Sequence, residues 1–224
     1  MNNRIENNKR IAKNTAMLYM RMLLSMAVSF YTSRIVLNIL GVDDFGIYNL
    51  VGGIVVLFSF LNNAMASSTQ RFLNFELGRE NIDEVKRIFS MSLTTHLSIA
   101  FVVLVLSETV GLWFLNAYMN LPADRMNAAN WVYQLSVLSC CIQIMRIPYQ
   151  SSIIAYERMS FYAYISIVEV LLKLLIILFL FLSDFDKLIY YSILSTVVVT
   201  LISYIYKIYC IKAFSTCSYS FFWD

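Results

Sequence analysis

The sequence predicts an all-helical, polytopic membrane protein: a bundle of six transmembrane helices. Three observations carry this reading. Apolar residues fill 59% of the 224 positions and charged residues only 14%, against roughly 25% charged in an ordinary soluble domain. Mean hydropathy is +0.67. Six stretches are each long and apolar enough to cross a bilayer, which takes about 20 residues. Disorder is excluded, because disordered chains are polar and poor in aromatics. Four scattered cysteines in a chain of this size do not make a disulfide-stapled module. A net charge of +3 with dispersed basic residues argues against nucleic-acid binding.

The six expected spans cover about 16–40, 47–67, 88–115, 131–149, 162–182 and 188–211. Only helices fit, because a chain in hydrocarbon must satisfy its own backbone groups. Gly41-Val42-Asp43-Asp44 is expected to turn between the first two spans, and 183–186 between the last two. Between spans two and three lies a polar stretch, 70–87. Within it Asn81 and Glu84 have capping-box spacing, which starts a helix near Ile82. Asp83 and Glu84 then occupy the first turn, where the helix dipole favours acids. The first span reads as a transmembrane helix and is not expected to be a cleaved leader. It contains Arg21, is too long for a signal core, and has no small-x-small cleavage site.

Orientation follows from basic residues in short loops. With the N-terminus in the cytoplasm, the inner side holds Arg4, Lys9, Arg10, Lys13, Arg71, Arg79, Lys86, Arg87, Arg158, Lys207 and Lys212, and the outer side only Arg125 and Lys187. Both termini are then cytoplasmic: residues 1–14 form a tail and 15–212 the transmembrane bundle. Cys140 and Cys141 read as apolar filler within the fourth span, with Cys210 and Cys217 at the inner face.

Polar residues inside the spans mark candidate sites, because they are costly there. Arg21 and Arg34 lie in the first span, each open to two readings: snorkelling to an interface or facing a cavity. Ser25, Ser29 and Thr32 continue the Arg21 stripe at helical spacing. In the second span Gly52 and Gly53 read as close-packing positions. Asn62, Asn63 and Gln70 either bond across helices or line a hydrated path. Glu169 and Lys173 are the sharpest feature. They stand four apart on one helical face, about 10 and 16 Å from the inner start of their span at 1.5 Å per residue. They read as a self-neutralising structural pair or as a cavity pair that meets substrate, and the second reading is preferred. His96 reads as a packing histidine. Arg146 reads as an interfacial anchor, and Pro148 as a kink or helix end. No catalytic or metal-binding motif appears, so neither an enzyme nor a cofactor is expected.

The run SRIVLNILGVDDFGIYNLVGGIV, 33–55, resembles the first-to-second helix segment of bacterial polysaccharide flippases, the O-antigen and capsule repeat-unit exporters. The stretch ASSTQRFLNFELGRENIDEVKRIFSMS, 66–92, is similar to that family's next inner loop. RIPYQSSIIAYERMSFYAYISIVE, 146–169, resembles its fourth-to-fifth helix connection, and CSYSFFWD, 217–224, the start of the linker between two lobes. The resemblance implies one six-helix lobe of a two-lobe transporter, with 213–224 beginning the inter-lobe linker. It implies alternating-access movement of undecaprenyl-pyrophosphate-linked oligosaccharides across the bacterial cytoplasmic membrane. The implied partners are the bilayer, the lipid-linked oligosaccharide, a C-terminal lobe and polysaccharide assembly proteins. A cationic cavity suits such a cargo, and Arg21, Arg34 and Lys173 are its candidate cations. Six spans are an even number, so a second copy would follow in the same orientation. Three rival readings are a cation-coupled antiporter of the same superfamily, a membrane-embedded polymerase or acyltransferase, and a purely structural subunit.

Overall fold

A computed structural model describes residues 2–119 and 121–219, with side chains outside 2–11, 13–14 and 57–63. Among the described residues six α-helices follow one another: α1 (Asn2–Gly78), α2 (Ile82–Leu106), α3 (Leu112–Ala117), α4 (Met126–Ala155), α5 (Met159–Leu182) and α6 (Lys187–Ala213). A π-helical turn, Ser107–Gly111, joins α2 to α3, and a 3-10 turn, Ser215–Cys217, follows α6. No strand occurs among the described residues. The all-helical class is as the sequence predicts.

Among the described residues, four helical stretches are long and apolar enough to cross a membrane: Thr15–Val56, Ile82–Ala117, Met159–Leu182 and Lys187–Ala213. This differs from six separate spans for two physical reasons. The first two expected spans are arms of the single element α1, reversed at Gly41. The fourth expected span, α4, is less apolar because protein surrounds it. It packs against α1, α2 and α6 and buries Ala129, Val132, Tyr133, Val137 and Ile144.

The reversal in α1 needs one residue. Gly41 has φ 82 and ψ 172, a combination essentially restricted to glycine. The expected turn over 41–44 is therefore shorter than the sequence suggested, since helix resumes at Val42. Contacts at the two ends of α4 show that the arms fold back on each other. Asp44 meets Arg125, just before α4. At the far end Ser151 donates to the Ala66 carbonyl at 3.4 Å, and Ser160 donates to the Met17 sulfur at 3.6 Å. Met17 and Ala66, one on each arm, thus share the end of the bundle opposite Gly41.

The start of α2 is capped as its spacing predicts: Asn81 Oδ1 accepts from the Glu84 N–H at 3.3 Å. Of the two readings of Pro148, a kink or a helix end, the second does not hold. The residue is buried within α4, which runs on to Ala155. Proline has no N–H to give the carbonyl one turn back, and surrounding helices hold the segment in place. Beyond α6 the chain does not trail away. Phe214 stacks on Tyr156 with centroids 4.1 Å apart and planes 10° from parallel. The Tyr156 hydroxyl bonds Thr216 Oγ1 at 2.8 Å. The first aromatic of the expected linker therefore has a partner that sequence spacing did not reveal; residues 220–224 lie outside the described residues.

Two apolar clusters form the interior. One joins both arms of α1 near Gly41 to α2, α4, α5 and α6, around Val36, Val51, Val132 and Leu180. The other joins α2, α4, α5, α6 and the 3-10 turn at the opposite end, around Phe89, Ile153, Ile202 and Phe214. Hydroxyls tie α4 to α6 between them: Ser139 donates to Thr196 Oγ1 at 3.0 Å. In a bilayer such bonds contribute about 0.6 kcal/mol each.

Candidate functional site

A cavity of about 720 Å³ lies between both arms of α1, α4, α5 and α6. Hydroxyl and amide groups dominate its polar lining. Ser25, Ser29 and Thr32 come from the first arm and Asn49 from the second; Ser136, Ser139 and Gln143 from α4; Ser192, Ser195 and Thr196 from α6. Helical spacing explains the convergence, since residues three and four apart share a face. The serine–threonine stripe of the first span is therefore a cavity face. Gly52 and Gly53 line the same cavity, and a Cβ added at either meets nothing within 4 Å. These two glycines are not positions of close helix packing in this chain, contrary to the expectation. They leave room in the cavity.

Glu169 and Lys173 line the cavity from α5. Their side chains pair directly, with Lys173 Nζ 2.9 Å from Glu169 Oε1. A third residue joins them. Arg146 of α4 places Nη1 4.0 Å from Glu169 Oε2, and its guanidinium lies 5.4 Å from the Tyr206 ring centroid. The expected interfacial anchor is thus part of the charged cluster. Its distance from Glu169 along the chain hid it, because no spacing rule links residues on different helices.

Arg21, at the start of the serine–threonine stripe, does not itself line the cavity, nor does Arg146. The Arg21 guanidinium lies over the Tyr162 ring, 4.2 Å from the centroid, a cation–π contact. Tyr162 accepts a hydrogen bond from Gln150 Nε2 at 3.2 Å, and its ring meets Tyr206 edge-on at 6.4 Å. Arg21 Nε is buried with no partner among the described residues. Counting along the helices puts Arg21, Arg146, Tyr162 and Tyr206 at one level, toward the end of the bundle opposite Gly41. Glu169 lies about 10 Å and Lys173 about 16 Å further along α5 from that level, at 1.5 Å per residue.

The remaining candidates separate from this group. Arg34 is exposed and does not line the cavity. Gln70 is half-buried in the last third of α1, also away from the lining. The side chains of Asn62 and Asn63 lie outside the described residues. His96 is buried against α1; its Nδ1 lies 2.7 Å from the Ser92 carbonyl, and Ser92 in turn bonds Thr69 of α1 at 3.0 Å. Its Nε2 has no partner among the described residues, so the packing histidine is half satisfied.

Two arrangements near Gly41 have no sequence signature. Arg125 donates to Asp44 through both Nε, at 2.8 Å, and Nη2, and to Asp186 through Nη1 at 2.7 Å. Hydrogen bonding to Asp44 pushes the guanidinium pKa up. At the π-helical turn, Tyr133 donates to the Ser107 carbonyl at 2.7 Å. The same carbonyl also accepts the Leu112 N–H across the π turn, so Tyr133 is its second donor. A Cβ on Gly111 would collide with the same hydroxyl.

The four cysteines are free and buried. Among the described residues no group of His, Cys, Asp and Glu has the arrangement to hold a metal ion. No protein-family model, no curated protein and no solved structure matches this chain.

Proposed function

We propose that this chain is a six-helix lobe of a transporter that carries undecaprenyl-pyrophosphate-linked oligosaccharide repeat units across the bacterial cytoplasmic membrane. One observation carries the reading: a cavity lined by hydroxyls, amides and the Glu169–Lys173 pair, with Arg146 held 4.0 Å from Glu169 outside that lining. Hydroxyls and amides both donate and accept, as a sugar requires. Arginine offers a planar fork of donors suited to phosphate. Basic-residue counts favour both termini in the cytoplasm, with Gly41 outward. Arg21 and Arg146 then lie toward the side from which a cytoplasmic cargo enters, and Lys173 deeper, near the middle of its span. In this reading the two arms of α1 and α4 count as spans, giving six. A second lobe encloses the cavity, and movement is by alternating access.

The test is genetic and biochemical together. Loss of the gene should abolish surface polysaccharide and accumulate the lipid-linked repeat unit. A Glu169→Gln, Lys173→Gln double variant should insert normally and export poorly. Normal surface polysaccharide in the deletion strain overturns the reading. The carboxylate of Glu169 in the cavity supports one alternative, a cation-coupled antiporter. That alternative predicts drug or metabolite efflux and an unchanged polysaccharide.

A further inference from the structure

Three helix starts meet at Arg125. Its guanidinium grips Asp44, at the start of the second arm of α1, with two of its nitrogens. With the third it reaches Asp186, the N-cap of α6, at 2.7 Å. Asp186 divides its work. Oδ1 accepts from the Leu188 and Ile189 N–H groups at 3.1 and 3.3 Å, and Oδ2 takes Arg125. The carboxylate therefore stays oriented by its own helix whether or not Arg125 is present.

All three segments lead directly into the cavity wall. Asp44 precedes Phe45 and lies about one turn before Tyr48; Asp186 lies just over one turn before Tyr191. Phe45, Tyr48 and Tyr191 all line the cavity. Tyr48 and Tyr191 meet edge-on, with centroids 4.9 Å apart. The aromatic pair closes the gap between α1 and α6, and the ion pairs lie beyond it toward Gly41. A movement of the second arm away from α6 parts the rings and stretches the ion pairs in one motion. The clasp is also reachable by water: the side chains of Arg125, Asp44 and Asp186 are 27%, 15% and 32% exposed. Such a pair lets go far more readily than a fully buried one.

We propose that the Arg125–Asp44–Asp186 clasp, with the Tyr48–Tyr191 pair beneath it, is a gate that holds the cavity shut toward the Gly41 end. This rests on reading the cavity as a transport path. A purely structural clasp would raise stability and leave access unchanged, so access is the quantity to measure.

Ser136 lines the cavity on α4, about 16 Å from Arg125 at 1.5 Å per residue. The experiment places Ser136→Cys in the full chain and labels it with a membrane-impermeant maleimide, in right-side-out and inverted vesicles. The chain with its native cysteines alone gives the background. With the clasp intact, labelling should come from the face opposite Gly41. Arg125→Gln should raise labelling from the Gly41 face by about tenfold or more. Asp44→Asn, which removes one charge and little volume, should do the same, and Arg125→Lys should fall between. If both neutral variants insert and fold yet leave the Gly41 face unlabelled, while the opposite face still labels, the gate is overturned and the transport path stands. If Ser136→Cys labels from neither face in any variant, the transport path fails and the gate with it.

Discussion

Arg146 approaches the carboxylate of Glu169 from a different helix, 4.0 Å from the oxygen that Lys173 leaves free. The pair on α5 is therefore one part of a trio, and its two members are not equivalent. Removing the Lys173 charge leaves Glu169 with Arg146. Removing the Glu169 charge leaves two cations without their shared counter-charge. Glu169→Gln should destabilise by about 2 kcal/mol, as loss of a partly buried partner does. Lys173→Gln, at a half-exposed side chain, should cost less than about 1 kcal/mol. Thermal unfolding in lipid nanodiscs measures both, and equal losses would show that Arg146 does not share the carboxylate.

The π-helical turn offers a coupled test. Tyr133→Phe removes the bond to the Ser107 carbonyl and should cost about 1–2 kcal/mol. Gly111→Ala should cost more, because its new methyl group meets the Tyr133 hydroxyl. In the double variant the obstructing oxygen is gone. Its loss should be smaller than the sum of the singles, by about 1 kcal/mol in a double-mutant cycle. Strict additivity would mean that the two residues do not touch.

A third expectation concerns the segment after α6. Phe214 is buried and stacked on Tyr156. Phe214→Ala should destabilise by about 3 kcal/mol. Tyr156→Phe keeps the stack and loses only the contact with Thr216, for about 1 kcal/mol. If both variants melt like the parent chain, the segment is not packed against the bundle.

Helix α2 gives the smallest effect. Asn81→Ala should cost about 1 kcal/mol and loosen the first turn, whereas Asn81→Ser should retain most of the cap. Amide hydrogen exchange at Glu84, whose N–H the cap accepts, reads this directly.

What the sequence made legible follows one rule: features within a turn or two of each other could be read. Asn81 and Glu84 gave the start of α2, and Ser25, Ser29 and Thr32 gave a cavity face. Glu169 and Lys173 gave an ion pair, because helical geometry alone puts residues four apart together. Everything that joins separate helices was hidden. Arg125 meets Asp44 and Asp186 across 81 and 61 residues, and nothing local marks that meeting. Arg146 looked like an anchor because its partner lies on α5. Pro148 read as a kink or a helix end, and it is not an end: it lies buried inside α4, which runs on to Ala155. Gly52 and Gly53 match the small-residue pattern of a packed interface and instead face open space.

The one-residue reversal at Gly41 sets a rule of phase for the whole bundle. A longer turn takes up slack, and its length can drift without disturbing its neighbours. At Gly41 helix stands directly on both sides. Each residue inserted there would rotate the second arm by about 100° about its own axis, at 3.6 residues per turn. One insertion would carry Asn49, Gly52 and Val55 out of the cavity wall and pull Asp44 off Arg125. Chain length is thus freer to vary at 183–185, ahead of the Asp186 cap, and is quantised at Gly41, where the spacing of the two arms is counted in single residues.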